Sequence, residues 1–317
     1  MYTAYIGTYN QRGSAGIYQV QMEDGARITG TIPTQNPSYL AVLGDTLYAT
    51  NETNPGEVVA FRILESGVKK IHTLSSGGSG PCHILAEQDA VYIANYNDGV
   101  VTIYARNIDG SLGAPAQWIA HRREHKGAHA HQCLITPDSK YLAVCDLGMD
   151  AVMFYEKNAY GGVILPGVPC AVPPGTGPRH AAFGCNGIWY VLGEFSCDVL
   201  IFNNKQLVGQ QPLSKYGNHA SALRISPDGT LLLASIRGEN KLVLCDIDSE
   251  GMLSTPRFVD CGGEWPRDAA FTPDGKYVWC ACEHSDQLTI FEVYGNTLAL
   301  RETLMIPCPV CIIYTKL

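Results

Sequence analysis

The chain has 317 residues, enough for two ordinary domains or for one large all-β or α/β domain. With 46% hydrophobic and only 16% charged residues it can bury a substantial core, which excludes a disordered chain, and its formal net charge of −8 argues against nucleic acid or an anionic membrane surface as partner. No apolar run reaches the roughly 18 residues of a membrane-spanning helix, and the opening Met1-Tyr-Thr-Ala-Tyr lacks the basic region and apolar stretch of a secretion signal.

The first elements read as short strands: Thr3 to Thr8, Gly16 to Met22 and Arg27 to Ile32. From Pro37 onward the chain repeats. Similar segments begin at Pro37-Ser-Tyr-Leu, Pro81-Cys-His-Ile, Ala130-His-Gln-Cys, Pro178-Arg-His-Ala, Ala220-Ser-Ala-Leu, Pro266-Arg-Asp-Ala and Pro309-Val-Cys-Ile, at steps of 44, 49, 48, 42, 46 and 43 residues. Three of them lead into a Ser/Thr-Pro-Asp turn, at Thr136, Ser226 and Thr272. The unit beginning at Pro266 shows the pattern within a repeat: Asp268 to Thr272, Tyr277 to Cys282, Leu288 to Val293 and Leu298 to Leu304 are four β-rich runs, and no long stretch has a helical period. Four strands at a period near 45 predict a blade of a β-propeller, and seven units predict seven blades. Only one strand fits after Pro309. The N-terminal strands are therefore expected to complete that blade, so that about 1–34 and 309–317 close the ring of a single all-β domain spanning 1–317.

Twelve cysteines are scattered through the chain, most of them inside apolar runs, as buried free thiols are in a reducing compartment. Cys308-Pro-Val-Cys311 has no second pair beside it and reads as two more buried thiols. The segment from His121 to His131 carries His125 and His129 at steps of four. Gly127 weakens a helix there, so a loop beside the channel mouth is expected in place of a metal site. A cytoplasmic protein without metal or cofactor follows as the expectation.

Gly-Thr-Tyr near the start, Gly-Pro-Cys-His (80–83), Ala-Asn-Tyr (94–96), His-Ala-His-Gln (129–132), Asp-Leu-Gly-x-Asp (146–150), Gly-Pro-Arg-His (177–180) and Pro-Arg-Asp-Ala-Ala-Phe-x-Pro-Asp-Gly-Lys (266–276) resemble the seven-bladed β-propeller lactonases. That family includes the bacterial propeller-type 6-phosphogluconolactonases and, more distantly, a fungal carboxymuconate lactonising enzyme. The resemblance runs the length of the chain in blade order. It implies a hydrolase acting on a small lactone, with 6-phosphogluconolactone of the pentose phosphate pathway first, and another lactone, a cycloisomerisation or a non-catalytic binding role as alternatives. The oligomeric state is not implied.

In a propeller the innermost strands line an axial channel, so equivalent positions should form rings. The residue after each repeat anchor gives one ring: Ser38, Cys82, His131, Arg179, Ser221, Arg267 and Val310. The end of the following strand gives a second: Thr8, Asn51, Asn95, Asp146, Glu194, Ile236 or Arg237, and Cys282 or Glu283. Polar groups at interior positions point to a site on the axis. Carried over from the resemblance, the catalytic group is His131 (or its neighbour His129), Arg179, Glu194 and Arg237. Ile236 stands before Arg237 where relatives have Asn. Lactone hydrolysis needs a base for water and donors for the oxyanion. Glu194 or His131 would be the base, and the arginines the donors. Arg179 and Glu194 would also suit a plain salt bridge between strands. His83, Asn95, His129, Asp146 and Arg267 are candidates for substrate contacts, with Arg267 and His83 placed for a phosphate. His180 should point away from the channel by strand alternation. No Gly-x-Ser-x-Gly elbow is present, which argues against an acyl-enzyme.

Overall fold

The computed structural model describes residues 2–121, 127–159, 161–185, 187–214 and 219–315. Their strands form seven four-stranded antiparallel sheets. The innermost strands are Pro37–Leu43, Pro81–Ala86, Ala130–Ile135, Pro178–Phe183, Ala220–Ile225, Pro266–Phe271 and Pro309–Thr315, which define blades one to seven. In blade seven the inner strand pairs with Tyr2–Thr8, followed outward by Gly16–Met22 and Ala26–Pro33.

Strand composition follows position in the blade. The second strands are covered on both faces by neighbouring blades, so Thr46–Asn51, Ala90–Asn95, Ile188–Gly193 and Leu231–Ile236 are buried at every residue. The outermost strands alternate, as in Gly67–Ser75 and Thr297–Met305. Each of seven apolar clusters joins two neighbouring blades, for example Tyr92, Val101 and Ile103 of blade two with Leu142, Val144 and Met153 of blade three. A buried tyrosine reinforces three of these interfaces: Tyr48, Tyr92 and Tyr190 each donate to a glycine carbonyl of the next blade, at Gly110, Gly161 and Gly251.

Two local devices set up the channel. First, every inner strand carries a β-bulge next to its anchor. The register shifts between Pro37 and Tyr39, Pro81 and His83, Ala130 and Gln132, Pro178 and His180, Ala220 and Leu223, and Pro266 and Asp268, and opposite Gly7/Thr8 in blade seven. A bulge breaks the two-residue alternation, so consecutive side chains can face the same way. Second, the residue before the anchor is left-handed in six blades: Asn36, Gly80, Gly177, His219, Trp265 and Cys308, with φ between 41° and 62°. Several of these are tied to the blade before. Asp150 accepts from Gly177 N–H, Asn240 from Trp265 N–H and Asp286 from Cys308 N–H, each at 2.8 Å.

Candidate active site

One backbone hydrogen bond recurs in all seven blades and fixes which residues are equivalent at the channel mouth. The N–H groups of Tyr9, Glu52, Tyr96, Leu147, Glu194, Arg237 and Glu283 donate to the carbonyls of Cys308, Asn36, Gly80, His129, Gly177, His219 and Trp265, the residues that precede the anchors. These seven donors form the mouth ring. Below it lies the ring after the anchors, Ser38 to Val310. The sequence expectation for the mouth ring therefore holds for Glu194, holds for the second alternative at Arg237 and Glu283, and is one residue short at Thr8, Asn51, Asn95 and Asp146.

The two rings bring His131, Arg179, Glu194 and Arg237 together from blades three, four and five. Glu194 lies between the arginines: Oε2 is 2.9 Å from Arg179 Nε and Oε1 is 2.9 Å from Arg237 Nη2. The Arg179 contact is an ion pair without hydrogen-bond alignment, since that Nε–H finds no acceptor in line. Backbone carbonyls hold the guanidiniums in place: Arg179 Nη1 donates to Ser221 O at 2.7 Å, and Arg237 donates to His219 O and Ala220 O. No described residue partners Arg179 Nη2 or Arg237 Nη1. Burial raises the Glu194 carboxyl, but Arg179 and Arg237 outweigh it and leave it below its ordinary value. Burial, then Arg237, pushes Arg179 down to about 10, so it stays charged at neutral pH.

His131 is only 5% exposed, and its Nδ1 is buried without a partner. Burial, followed by the charges of Arg179 and Arg267, holds it well below the usual imidazole range. A neutral imidazole whose ring makes no hydrogen bond among the described residues is in the form that accepts a proton. Glu194 is deprotonated as well, but both of its oxygens are engaged by arginines, which also make it a weaker base than a free carboxylate.

Opposite this group, blades six, seven and one supply a second network. Arg267 Nη2 donates to Tyr9 Oη at 2.6 Å, Tyr9 Oη donates to Glu52 Oε2 at 2.9 Å, and Arg267 Nη1 is 3.5 Å from Glu283 Oε2. Glu52, His131, Arg179 and Arg267 line one small cavity together with Ser38 and Cys82.

A plug closes the channel beneath. His180 accepts from Arg179 Nη1 at 3.3 Å, and its ring is 5.3 Å from that of His131. His83 packs 4.2 Å from Tyr39, and Arg224 pairs with buried Asp268 at 2.8 Å. The expectation that His180 points away from the channel is corrected by the bulge at Arg179: both side chains face inward.

Residues 3–314 match the family model described as Lactonase, 7-bladed beta-propeller. The chain belongs to the seven-bladed β-propeller lactonase family. It is 29% identical to the 6-phosphogluconolactonase of Bacillus subtilis (strain 168), with 98% of this chain and 97% of that protein covered. Among solved structures, the Pseudomonas aeruginosa periplasmic gluconolactonase is 28% identical with a TM-score of 0.89, and 99% of each chain is covered. A Lactobacillus plantarum protein is 27% identical with a TM-score of 0.92 over 100% of each chain.

Within this lactonase propeller the remaining candidates separate by position. His129 is at the mouth, its Nδ1 2.8 Å from Tyr96 O and its ring stacked on Tyr96 at 4.4 Å. Arg267 is at the mouth but already paired. His83 belongs to the plug, and burial, then Arg224 and Arg179, pushes it down to about 3, so it carries no charge for a phosphate. Asn95 is spent inside its blade, bonded to Ser76 and to Val100 O. Asp146 is fully buried, accepting from His129 N–H and Met149 N–H, with His121 Nδ1 at 2.7 Å. His125 lies outside the described residues, among which no group of three His, Cys, Asp or Glu is placed to hold a metal ion. Cys308 and Cys311 are free thiols. Glu283 is one of the two alternatives read at its position, and Tyr9, Glu52 and Tyr96 are mouth residues that the sequence did not single out. The Gly-Thr-Tyr and Ala-Asn-Tyr motifs held the signal for two of them, one position beyond the residue chosen.

Proposed function

We propose that this protein hydrolyses a sugar lactone, with 6-phosphogluconolactone the first candidate substrate. The observation that carries the reading is Glu194 clamped between Arg179 and Arg237 beside a neutral, unengaged His131. The lactone carbonyl sits at the free Nη groups of Arg179 and Arg237. His131 takes a proton from water as the water oxygen bonds to the carbonyl carbon, and the arginines stabilise the oxyanion. When the oxyanion collapses, the ring C–O bond breaks and the ring oxygen leaves with the proton from the imidazolium, giving the hydroxy acid. Glu194 orients both arginines and balances the imidazolium. Burial is the larger cause of the His131 depression; the oxyanion offsets only the part that comes from the charges of Arg179 and the other arginines.

The Bacillus subtilis relative supports the phosphorylated substrate. A second reading, an unphosphorylated lactone, is favoured by Arg267 and His83. Neither is free to hold a phosphate, and the Pseudomonas aeruginosa relative is named a gluconolactonase. Eleven buried free thiols of twelve support a reducing compartment, the cytoplasm. The test is proton release from fresh 6-phosphoglucono-δ-lactone and glucono-δ-lactone. Acceleration of either over its spontaneous rate upholds the lactonase reading, the faster one names the substrate, and a rate equal to the blank for both would overturn it.

A further inference from the structure

We propose that the half of the mouth built by blades six, seven and one reads the hydroxyl groups of the substrate and thereby orients the lactone. The inference rests on the lactonase reading and assigns residues that the reaction above leaves unused. The two halves differ in charge and in what they leave unfilled. On one side Arg179 and Arg237 share the single carboxylate Glu194, a net positive charge, and their open atoms are donors. On the other, Arg267 faces two carboxylates, Glu52 and Glu283, a net negative charge. Tyr9 joins Arg267 to Glu52 and fills only Oε2 of Glu52, leaving Oε1 without a hydrogen bond among the described residues. Oε1 of Glu283 likewise has no hydrogen bond among the described residues, with His284 Nε2 3.9 Å away.

A sugar lactone has the complementary polarity. Its carbonyl only accepts and gains negative charge in the reaction, whereas its ring hydroxyls donate. A carboxylate is the strongest acceptor available for a hydroxyl, and such charge-assisted bonds are roughly twice as strong as neutral ones. The two halves meet at one small cavity, lined by Glu52 and Arg267 from one and by His131 and Arg179 from the other. His131, whose Nδ1 is buried without a partner, is among the residues that line it. The carbonyl therefore goes to blades four and five and the hydroxyls to Glu52 and Glu283. The reverse pose would put hydroxyl donors against arginines and the developing oxyanion against carboxylates.

The test compares glucono-δ-lactone with δ-valerolactone, which has the same ring without hydroxyls, on the wild type and Glu52→Gln. The variant keeps shape and removes the charge. We expect its KM for gluconolactone to rise at least tenfold, and at least five times further than its KM for valerolactone. Equal rises for both lactones would mean a structural role for Glu52, and an unchanged gluconolactone KM would mean no role; either overturns the proposal. Thermal unfolding of the variant is measured alongside, and Glu283→Gln replaces it if Glu52→Gln does not fold. If the wild type hydrolyses no lactone, the lactonase reading fails separately. Calorimetry then decides the hydroxyl reading with D-gluconate and 5-hydroxyvalerate: gluconate must bind more tightly and lose at least tenfold in Glu52→Gln, and no preference for it overturns the proposal.

Discussion

At the residue scale His131 and Glu194 differ in engagement: both Glu194 oxygens face arginines, whereas His131 Nδ1 has no partner, which favours His131 as the base. Both were open as the base from sequence. Two guanidiniums hold Glu194 as an anion, while burial keeps His131 neutral. His131→Asn should lower kcat by about 100- to 10,000-fold, the range of a general base. Because its folded value lies well below the ordinary imidazole, kcat/KM should stay flat from pH 8 down to pH 6; a fall centred near 6.5 would show another group acting. Glu194→Gln leaves two buried cations without their carboxylate and should cost about 3 kcal/mol of stability in denaturant melts. The Glu194 carboxyl is depressed on folding, so its contribution is present above the unfolded carboxylate value and lost as pH falls through the lower folded value. The variant should lose that part of the acid limb. Sequence showed the second ring as polar but chose Asn95 and Asp146. Those side chains are polar because they satisfy turn backbone, a need that composition does not distinguish from lining a channel.

At the element scale, the bulge and the left-handed joint place the side chains. Strand alternation turns His180 outward on paper, and one extra residue beside Arg179 turns it inward. A one-residue bulge leaves no composition signature in an inner strand, so this could not be read from the chain. The left-handed joint was half legible. Gly80 and Gly177 mark it, but His219 and Trp265 adopt the same conformation with side chains that ordinarily avoid it, at a cost of about 1–2 kcal/mol each. They flank Arg237: its guanidinium lies 5.4 Å from the Trp265 ring, and Trp265 is 5.7 Å from His219. Strain retained beside a charged site is where function is expected. At Gly177 (φ 60°) an added Cβ would lie 2.4 Å from Phe195. Gly177→Ala should therefore lose about 1–2 kcal/mol or more from the left-handed backbone alone. The Glu194 N–H to Gly177 O bond ties this joint to the mouth, so the loss in Tm should come with a fall in kcat. A fall in Tm with unchanged kcat would separate the joint from the site.

At the scale of the whole molecule, the sequence repeat carried nearly all of the architecture. The period, the four runs per unit and the single strand left after Pro309 follow from local pattern, and the sheet order of blade seven joins Pro309–Thr315 to Tyr2–Thr8. What the repeat did not show is that the axis is plugged by Tyr39, His83, His180 and the Arg224–Asp268 pair, because those residues come from different blades and meet only once the ring closes. Deleting 309–315 should strip Tyr2–Thr8 of its inner neighbour and expose Ile6, Ala4 and the cluster around Trp279. We expect loss of the cooperative thermal transition, followed by circular dichroism; a variant that melts like the full chain would refute closure as a source of stability. The central claim is that four residues from three blades form one hydrolytic site. Its most direct test is the enzyme-dependent rate of proton release from fresh glucono-δ-lactone and 6-phosphoglucono-δ-lactone for the wild type beside His131→Asn, Arg179→Ala and Glu194→Gln, each shown folded. The account predicts acceleration by the wild type and a loss of kcat of about 100-fold or more in every variant; acceleration that survives all three substitutions would contradict it.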